Sequence, residues 1–332
     1  MVTLGIETSC DETSVALLSN GDILASEVFT QAVHSAYGGV VPELASRAHM
    51  SKVDVLAESV FCANKISPGA VDCIAVTDSP GLAGALLVGI SFALGLHCQH
   101  RIPITGINHL EGHICSLFLA HPGLSCPFLA LIVSGGHTAI YLVDDFARYT
   151  CLGQTVDDAA GEAFDKVGKL LGFPYPAGRA IENEALAAGS GPRIPFPVAR
   201  CSGAQLDFSF SGLKTAVKYF CMEKGVQWVE ENRAQICFSF QKALVDSLAR
   251  NLLLAAEQTG IHTVGVAGGV ACNGELRRVM SAHFGNQVFF PPPALCTDNA
   301  AMIARAGYER FRRVMTRFPH MNPSMGLEHQ SA

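Results

Sequence analysis

Twice in this chain an apolar strand runs into a short tip of hydroxyls, carboxylates or glycines, and a second apolar strand returns from it. The first instance is Val2-Thr3-Leu4-Gly5-Ile6, then Glu7-Thr8-Ser9-Cys10-Asp11-Glu12-Thr13, then Ser14-Val15-Ala16-Leu17-Leu18, closed by the turn Ser19-Asn20-Gly21-Asp22. The second is Phe128-Leu129-Ala130-Leu131-Ile132-Val133, then Ser134-Gly135-Gly136-His137-Thr138, then Ala139-Ile140-Tyr141-Leu142-Val143. Apolar runs of this length bounded by turn residues read as strands, and two hairpins of one design predict two halves of related design. The boundary is placed near residue 120, before the proline-bearing stretch His121-Pro122-Gly123-Leu124-Ser125-Cys126-Pro127. Residues 1–120 then form an N-terminal domain and 121–332 a C-terminal one.

Each hairpin is followed by strand, tight turn and helix, the order of α/β proteins. In the first half, Val40-Val41-Pro42-Glu43-Leu44 opens a helix with proline in its first turn, and apolar positions continue through Val53 and Leu56. Residues 71–76 read as a buried strand that runs into Ser79-Pro80-Gly81-Leu82-Ala83-Gly84 and a small-residue helix to Leu96; residues 102–108 form another short strand. In the second half, residues 150–235 are rich in glycine, proline and short helices and read as an insertion bearing loops. Cys237, Phe240, Leu244, Leu248 and Leu252 then recur at helical spacing. Residues 263–267 form a strand into Gly268-Gly269, with a helix from about Asn273, and residues 298–313 form a last long helix that is free to pack back on the N-terminal domain.

Of 332 residues, 49% are apolar and only 16% charged, which supplies a large core and rules out disorder as the main state. The longest apolar stretch, residues 85–96, is too short to span a bilayer, and no basic-then-apolar leader opens the chain, so a soluble, cytoplasmic protein with no membrane partner is expected. A net charge of −6 removes the domain-wide basic field that usually drives nucleic-acid binding, so any such partner must meet a local patch. The 12 cysteines include no CxxC pair, which fits small core residues in a reducing compartment.

His109-Leu110-Glu111-Gly112-His113 follows a strand. At four-residue spacing both imidazoles share one helix face and can hold one metal ion, although two unrelated histidines would give the same spacing. Glu111 sits two residues from each histidine, roughly opposite them at about 100° per residue, so it is badly placed as the base of a zinc protease. Completing the site needs a distant carboxylate, and Asp298 in Cys296-Thr297-Asp298-Asn299 at a helix start is the candidate. Two imidazoles and one carboxylate leave coordination positions open, as catalytic sites do, and suit iron and zinc alike. Ser134-Gly135-Gly136 presents backbone amides at a strand end, suited to phosphate, or is an ordinary hairpin turn; Gly268-Gly269-Val270-Ala271-Cys272-Asn273 repeats that logic on a second element. Neither a Walker A sequence nor GxGxxG after a strand is present. The acidic run from Asp157 to Lys169 reads as a solvated helix face, while Tyr175-Pro176-Ala177-Gly178 and Phe208-Ser209-Phe210-Ser211-Gly212-Leu213-Lys214 either close over a ligand or pack the insertion.

Together, Gly5 through Thr13, Tyr37 through Arg47, His109 through His113, Ser134 through His137, Phe208 through Lys214 and Cys296 through Asn299 resemble the bacterial TsaD family, from residue 2 to about residue 313. These are the tRNA N6-adenosine threonylcarbamoyltransferases, formerly labelled O-sialoglycoprotein endopeptidases or glycoproteases. The resemblance implies an α/β, actin-like ATPase fold of the sugar kinase, actin and Hsp70 class, two related domains around a central cleft. It implies transfer of threonylcarbamoyl from threonylcarbamoyl-AMP to N6 of the adenosine 3′ to the anticodon (t6A formation), in tRNAs reading codons that begin with A. The implied metal, Fe2+ or Zn2+, one per subunit, falls on His109, His113 and Asp298. The implied nucleotide ligand, threonylcarbamoyl-AMP or ATP or ADP, falls on Ile132, Val133, Ser134, Gly135, Gly136, Asp165, Gly178 and Asn273, with Asp11 and Glu12 near the reacting centre.

The sequence departs from the family pattern at Ala177 and Arg179, where glycine and proline are typical, at Ala271-Cys272, and at Ser79. The implied partners are tRNA, TsaB-like and TsaE-like proteins, and an adenylate-forming enzyme that supplies the donor. Arg305, Arg310, Arg312, Arg313 and Arg317 form a basic C-terminal stretch that either meets tRNA phosphates or is a solvated face. A metalloendopeptidase and an actin-like ATPase or kinase are the rival readings; the first lacks a placed base, and the second has no need of His109 and His113.

Overall fold

The computed structural model describes residues 1–188, 191–198 and 205–327. Strands β1 (Val2–Glu7), β2 (Glu12–Ser19) and β3 (Asp22–Thr30) form an antiparallel meander. Asn20 and Gly21 both take positive φ, 50° and 93°, the pair of left-handed residues that a two-residue hairpin turn requires. β3 is an edge strand with no buried residue, so no apolar alternation announces it in the sequence. Helices α1 (Pro42–Met50) and α2 (Val53–Asn64) lead to β4 (Cys73–Ser79), α3 (Ala83–His100) leads to β5 (Ile104–Asn108), and α4 (His109–Ala120) follows. β4 lies parallel to β1 and β5 parallel to β4, giving the sheet order β3-β2-β1-β4-β5.

The pattern then recurs. β6 (Phe128–Val133), β7 (Thr138–Asp145) and β8 (Arg148–Gln154) are followed by α5 (Ala160–Leu170), α6 (Gly178–Ala187), α7 (Ser211–Lys224), α8 (Val226–Glu231) and the long α9 (Arg233–Thr259). β9 (Val264–Ala267), α10 (Gly274–Phe284) and β10 (Val288–Phe289) complete a second sheet of order β8-β7-β6-β9-β10, the topology of the first. α11 (Pro293–Cys296) and α12 (Ala300–Arg312) end the regular structure.

The chain divides into two compact units. The first holds residues 1–124, 145–149 and the described residues from Ala294 on; the second holds 125–144 and 150–293. Within the span 121–332, the last segment belongs with the first unit, the return that the sequence left open for the last helix, and residues 145–149 join it there. The physical reason is a row of small residues. Ala16, Gly5 and Ala75 are register neighbours on β2, β1 and β4, and α12 lays Ala300, Ala304 and Gly307 on that row. A Cβ on Gly5 would strike the Ala300 carbonyl, and one on Gly307 would strike Ala75, so helix and sheet approach at backbone distance. The other face of the same sheet carries the larger core, where Leu4, Ile6 and Val76 pack with Phe61, Leu86 and Ile90.

Helix α3 runs past both ends of the apolar stretch read from the sequence and reaches 18 residues, long and apolar enough by length and composition to cross a membrane. Here it buries Ala85, Leu86, Gly89, Ile90 and Ala93 and packs against β4 and α1.

Candidate functional site

In the first unit, the end of β5 sets up a histidine pair. Asn108 caps α4, its Oδ1 accepting the Leu110 N–H at 2.9 Å, so His109 becomes the first helical residue and His113 lies one turn on. Their rings meet edge to face with centroids 4.7 Å apart, and both are buried. Asp298 is presented from the turn before α12, whose N-cap Asn299 accepts the Met302 N–H at 3.0 Å. Its Oδ1 lies 3.4 Å from His109 Nε2 and 3.3 Å from His113 Nε2, and one ligand atom from each of the three residues falls within 4.8 Å of the others.

The electrostatics of the group depend on whether a counter-charge offsets burial. Burial opposes a charge on His109, but Asp298 and Glu7 outweigh it and hold its pKa well above the ordinary histidine value. Burial likewise opposes the Asp298 charge, and His109 and His113 overcome it, holding that carboxyl well below its usual range. Burial prevails at His113, whose pKa is lowered. Apart from the 3.3 Å approach of Nε2 to Asp298, both His113 ring nitrogens are buried with no hydrogen-bond partner among the described residues. A buried polar atom left unmatched costs about 1–3 kcal/mol, and an imidazole beside a second imidazole and a carboxylate offers its lone pair to a cation. The residues therefore fit a divalent metal.

Glu111 points away from this group. It is wholly buried, takes two nitrogens of Arg310 at 2.8 and 3.0 Å, and accepts from the Tyr149 hydroxyl at 3.2 Å. Burial and the Glu111 charge push the tyrosine pKa well up, so the phenol stays a neutral donor. The pair ties α4 to α12, the two helices that present the candidate ligands. With Glu111 so engaged, it is not free to act as the base of a metallopeptidase. The same contact takes Arg310 out of the C-terminal basic stretch, and the other arginines of that stretch have carboxylate partners as well. Arg310 is buried on Glu111, Arg305, Arg312 and Arg313 pair with Glu309, and Arg317 pairs with the buried Asp78.

Asp11 and Glu12 are half-buried at the tip between β1 and β2, and burial together with the Asp298 and Asp11 charges raises the Glu12 pKa to about 10. Support for the tip comes from His49 and Gln31, which no motif marked, and from Glu7, which lies inside the Gly5–Thr13 motif without a role assigned to it. His49 on α1 lies 2.9 Å, through Nε2, from the Cys10 carbonyl and 2.8 Å, through Nδ1, from the Thr13 hydroxyl. Gln31 donates its backbone N–H to the Asp11 carbonyl. Glu7, the last residue of β1, is fully buried against His109. The signal available for Glu7 in the sequence was a carboxylate ending an otherwise apolar strand.

In the second unit, Ser134 follows β6 and closes a turn, its N–H donating to the His137 carbonyl at 2.8 Å. Around Gly135 and Gly136 a Cβ would meet only open space. Gly161 at the start of α5 donates its N–H to the Ser134 carbonyl, and Gly268, at φ 95°, packs on the Val133 backbone, so both glycine loops meet at the end of β6. Ile132 and Val133 are wholly buried strand residues. Asp165 accepts the Ala177 N–H at 2.7 Å, which fixes the loop ahead of Gly178, the first residue of α6. Asn273 caps α10 through Oδ1 and donates to Gln241 Oε1 at 2.8 Å. The aromatic-serine run is explained by Asp157, which accepts the Phe210 and Ser211 N–H groups and the Ser209 and Ser211 hydroxyls at the start of α7.

Residues 22–305 match the family model TsaD: tRNA N6-adenosine threonylcarbamoyltransferase. The chain belongs to the TsaD family. A protein of that enzyme name from Geobacter metallireducens is 50% identical over 313 residues, covering 92% of this chain and 91% of its own length. Another of that name from Thermotoga neapolitana is 45% identical over 318 residues, covering 94% and 95%. Among solved structures, the activator of the 2-hydroxyisocaproyl-CoA dehydratase from Clostridium difficile with bound ADPNP superposes with TM-score 0.56 at 14% identity, covering 95% of this chain and 97% of that one. Full-length HypF in its phosphate- and nucleotide-bound form gives TM-score 0.60 at 14% identity, over 94% of this chain and 46% of that one. At such identities they establish the fold alone, which is the actin-like ATPase fold that the family resemblance implied. As a TsaD-family member the chain is a transferase that forms threonylcarbamoyl adenosine, t6A, in tRNA.

Proposed function

We propose that the chain forms t6A with a divalent metal held by His109, His113 and Asp298, taking threonylcarbamoyl from threonylcarbamoyl-AMP. The target is N6 of the adenosine 3′ to the anticodon in tRNAs reading codons that begin with A. The observation carrying this reading is the pair of unmatched His113 nitrogens beside His109 and Asp298. One Fe2+ or Zn2+ per chain would supply Lewis acidity and a template for the threonylcarbamoyl oxygens. In the reaction the adenosine nitrogen forms a bond to the threonylcarbamoyl carbonyl carbon, and the bond from that carbon to the AMP phosphate oxygen breaks. Asp11 accepts a proton from the incoming amine, and Glu12, kept protonated by burial, supplies a hydrogen-bond donor beside it. On the second unit, backbone amides of Ser134, Gly135 and Gly136 receive the phosphate, while Asp165, Gly178 and Asn273 frame the nucleoside. An adenylate-forming enzyme supplies the donor in the cytoplasm, and TsaB-like and TsaE-like proteins share the tRNA.

The test is incubation of the full chain and its partners with threonine, bicarbonate, ATP, the adenylate-forming enzyme and unmodified tRNA, followed by nucleoside mass spectrometry. His109→Ala should abolish t6A and lower bound metal while the chain stays folded by circular dichroism. Full activity in a chelator-stripped sample with no metal by elemental analysis would overturn the metal assignment.

A further inference from the structure

We infer that Glu7 is a positioning residue that fixes the ring and tautomer of His109, so that Nε2 is the nitrogen offered to the metal. This rests on the reading of His109, His113 and Asp298 as a metal site. Glu7 closes β1 with its side chain fully buried. Its Oε1 accepts the Ser9 N–H at 2.6 Å, and its Oε2 accepts the Thr77 hydroxyl at 2.7 Å and lies 3.0 Å from His109 Nδ1. A carboxylate only accepts, so the third contact requires a proton on Nδ1. The Ser9 hydroxyl, 3.2 Å from the same nitrogen, adds a second acceptor to that proton. His109 Nε2 is thereby left toward Asp298 and His113, and only the tautomer protonated at Nδ1 has a lone pair there. His113 has no comparable brace among the described residues, so the two histidines are built differently. A carboxylate behind a metal-bound imidazole is the arrangement that orients the ring and raises its basicity.

Glutamine separates this role from a merely structural one. In Glu7→Gln the amide oxygen can still accept from Ser9. Its NH2 group then faces Thr77, whose hydroxyl can turn and accept, and His109, which can accept only by moving its proton to Nε2, where it blocks ligation. The experiment measures zinc affinity by chelator competition on the full chain for wild type, Glu7→Gln and Thr77→Val, with thermal unfolding of each metal-free protein. Glu7→Gln should bind zinc about 10–100-fold more weakly while the metal-free chain still unfolds in a single cooperative transition. Thr77→Val, which keeps the carboxylate but removes one of its donors, should lose a few-fold. In zinc-loaded wild type, histidine 15N NMR should show the His109 proton on Nδ1. Wild-type zinc affinity in a folded Glu7→Gln overturns the inference. If Glu7→Gln does not fold, unchanged affinity in Thr77→Val overturns it instead. A wild-type chain that binds no zinc refutes the metal reading itself, and the role of Glu7 with it.

Discussion

Removing the Glu111 carboxylate would leave Arg310 charged, 4% exposed and without its main counter-ion. Breaking a buried pair in this way costs about 3–5 kcal/mol, whereas replacing both members with apolar residues of similar size is often neutral. Glu111→Ala and Arg310→Ala should each lower the unfolding midpoint sharply. The double variant Glu111→Leu/Arg310→Met should recover most of it, which thermal melts of the metal-free chains will show. Equal losses in single and double variants would mean that the pair does not couple α4 to α12. At this scale the sequence speaks unevenly. The shared face of His109 and His113 is legible because helical geometry is local. The partner of Glu111 is not, because Arg310 lies 199 residues further on and only the fold brings the two together. Glu7 was visible as a carboxylate in an apolar context, but its role depends on the chain's return to His109, 102 residues away.

Among the elements, α12 sits at backbone distance from the first sheet. Its small face rests on Gly5, Ala16 and Ala75 at a distance that admits no extra carbon, and Asp298 hangs from the turn just before it. Gly5→Ala places a methyl against the Ala300 carbonyl. Overpacking of this kind costs about 1–3 kcal/mol. The helix must shift to relieve it and carries Asp298 along, so zinc affinity should fall together with stability. A titration showing lost stability but wild-type zinc affinity would place the relief elsewhere than in α12. The strands and helices of the hairpins were legible because their apolar runs are continuous or periodic. β3 was not, since a mostly exposed edge strand needs no apolar pattern; for α12 the possible return to the N-terminal domain was, but not the row it packs on, since alanines and glycines carry no periodic signal.

For the molecule as a whole, two sheets of one strand order bear out the repeated hairpin, while the return of the last segment to the first unit depends on a match of small residues that no run of sequence displays. The same long-range pairing bears on tRNA. A net charge of −6 leaves any attraction to phosphate local, and Arg305, Arg310, Arg312, Arg313 and Arg317 all have acidic partners within the chain. Each phosphate neutralised steepens the fall of log affinity with log salt by about 0.7–0.9. Arginines already matched by Glu309, Glu111 or Asp78 add little to that slope, because meeting a phosphate means giving up a carboxylate. The isolated chain should therefore bind tRNA weakly and with a shallow salt slope, measured by fluorescence anisotropy from about 50 to 200 mM salt. Adding the proposed TsaB-like and TsaE-like partners should raise the affinity and steepen the slope, as expected of proteins that bring further cations to the tRNA. Arg310→Met should lower stability without changing the slope. A steep slope for the isolated chain that flattens when Arg312 and Arg313 are replaced would return the tRNA contact to α12 and its flank.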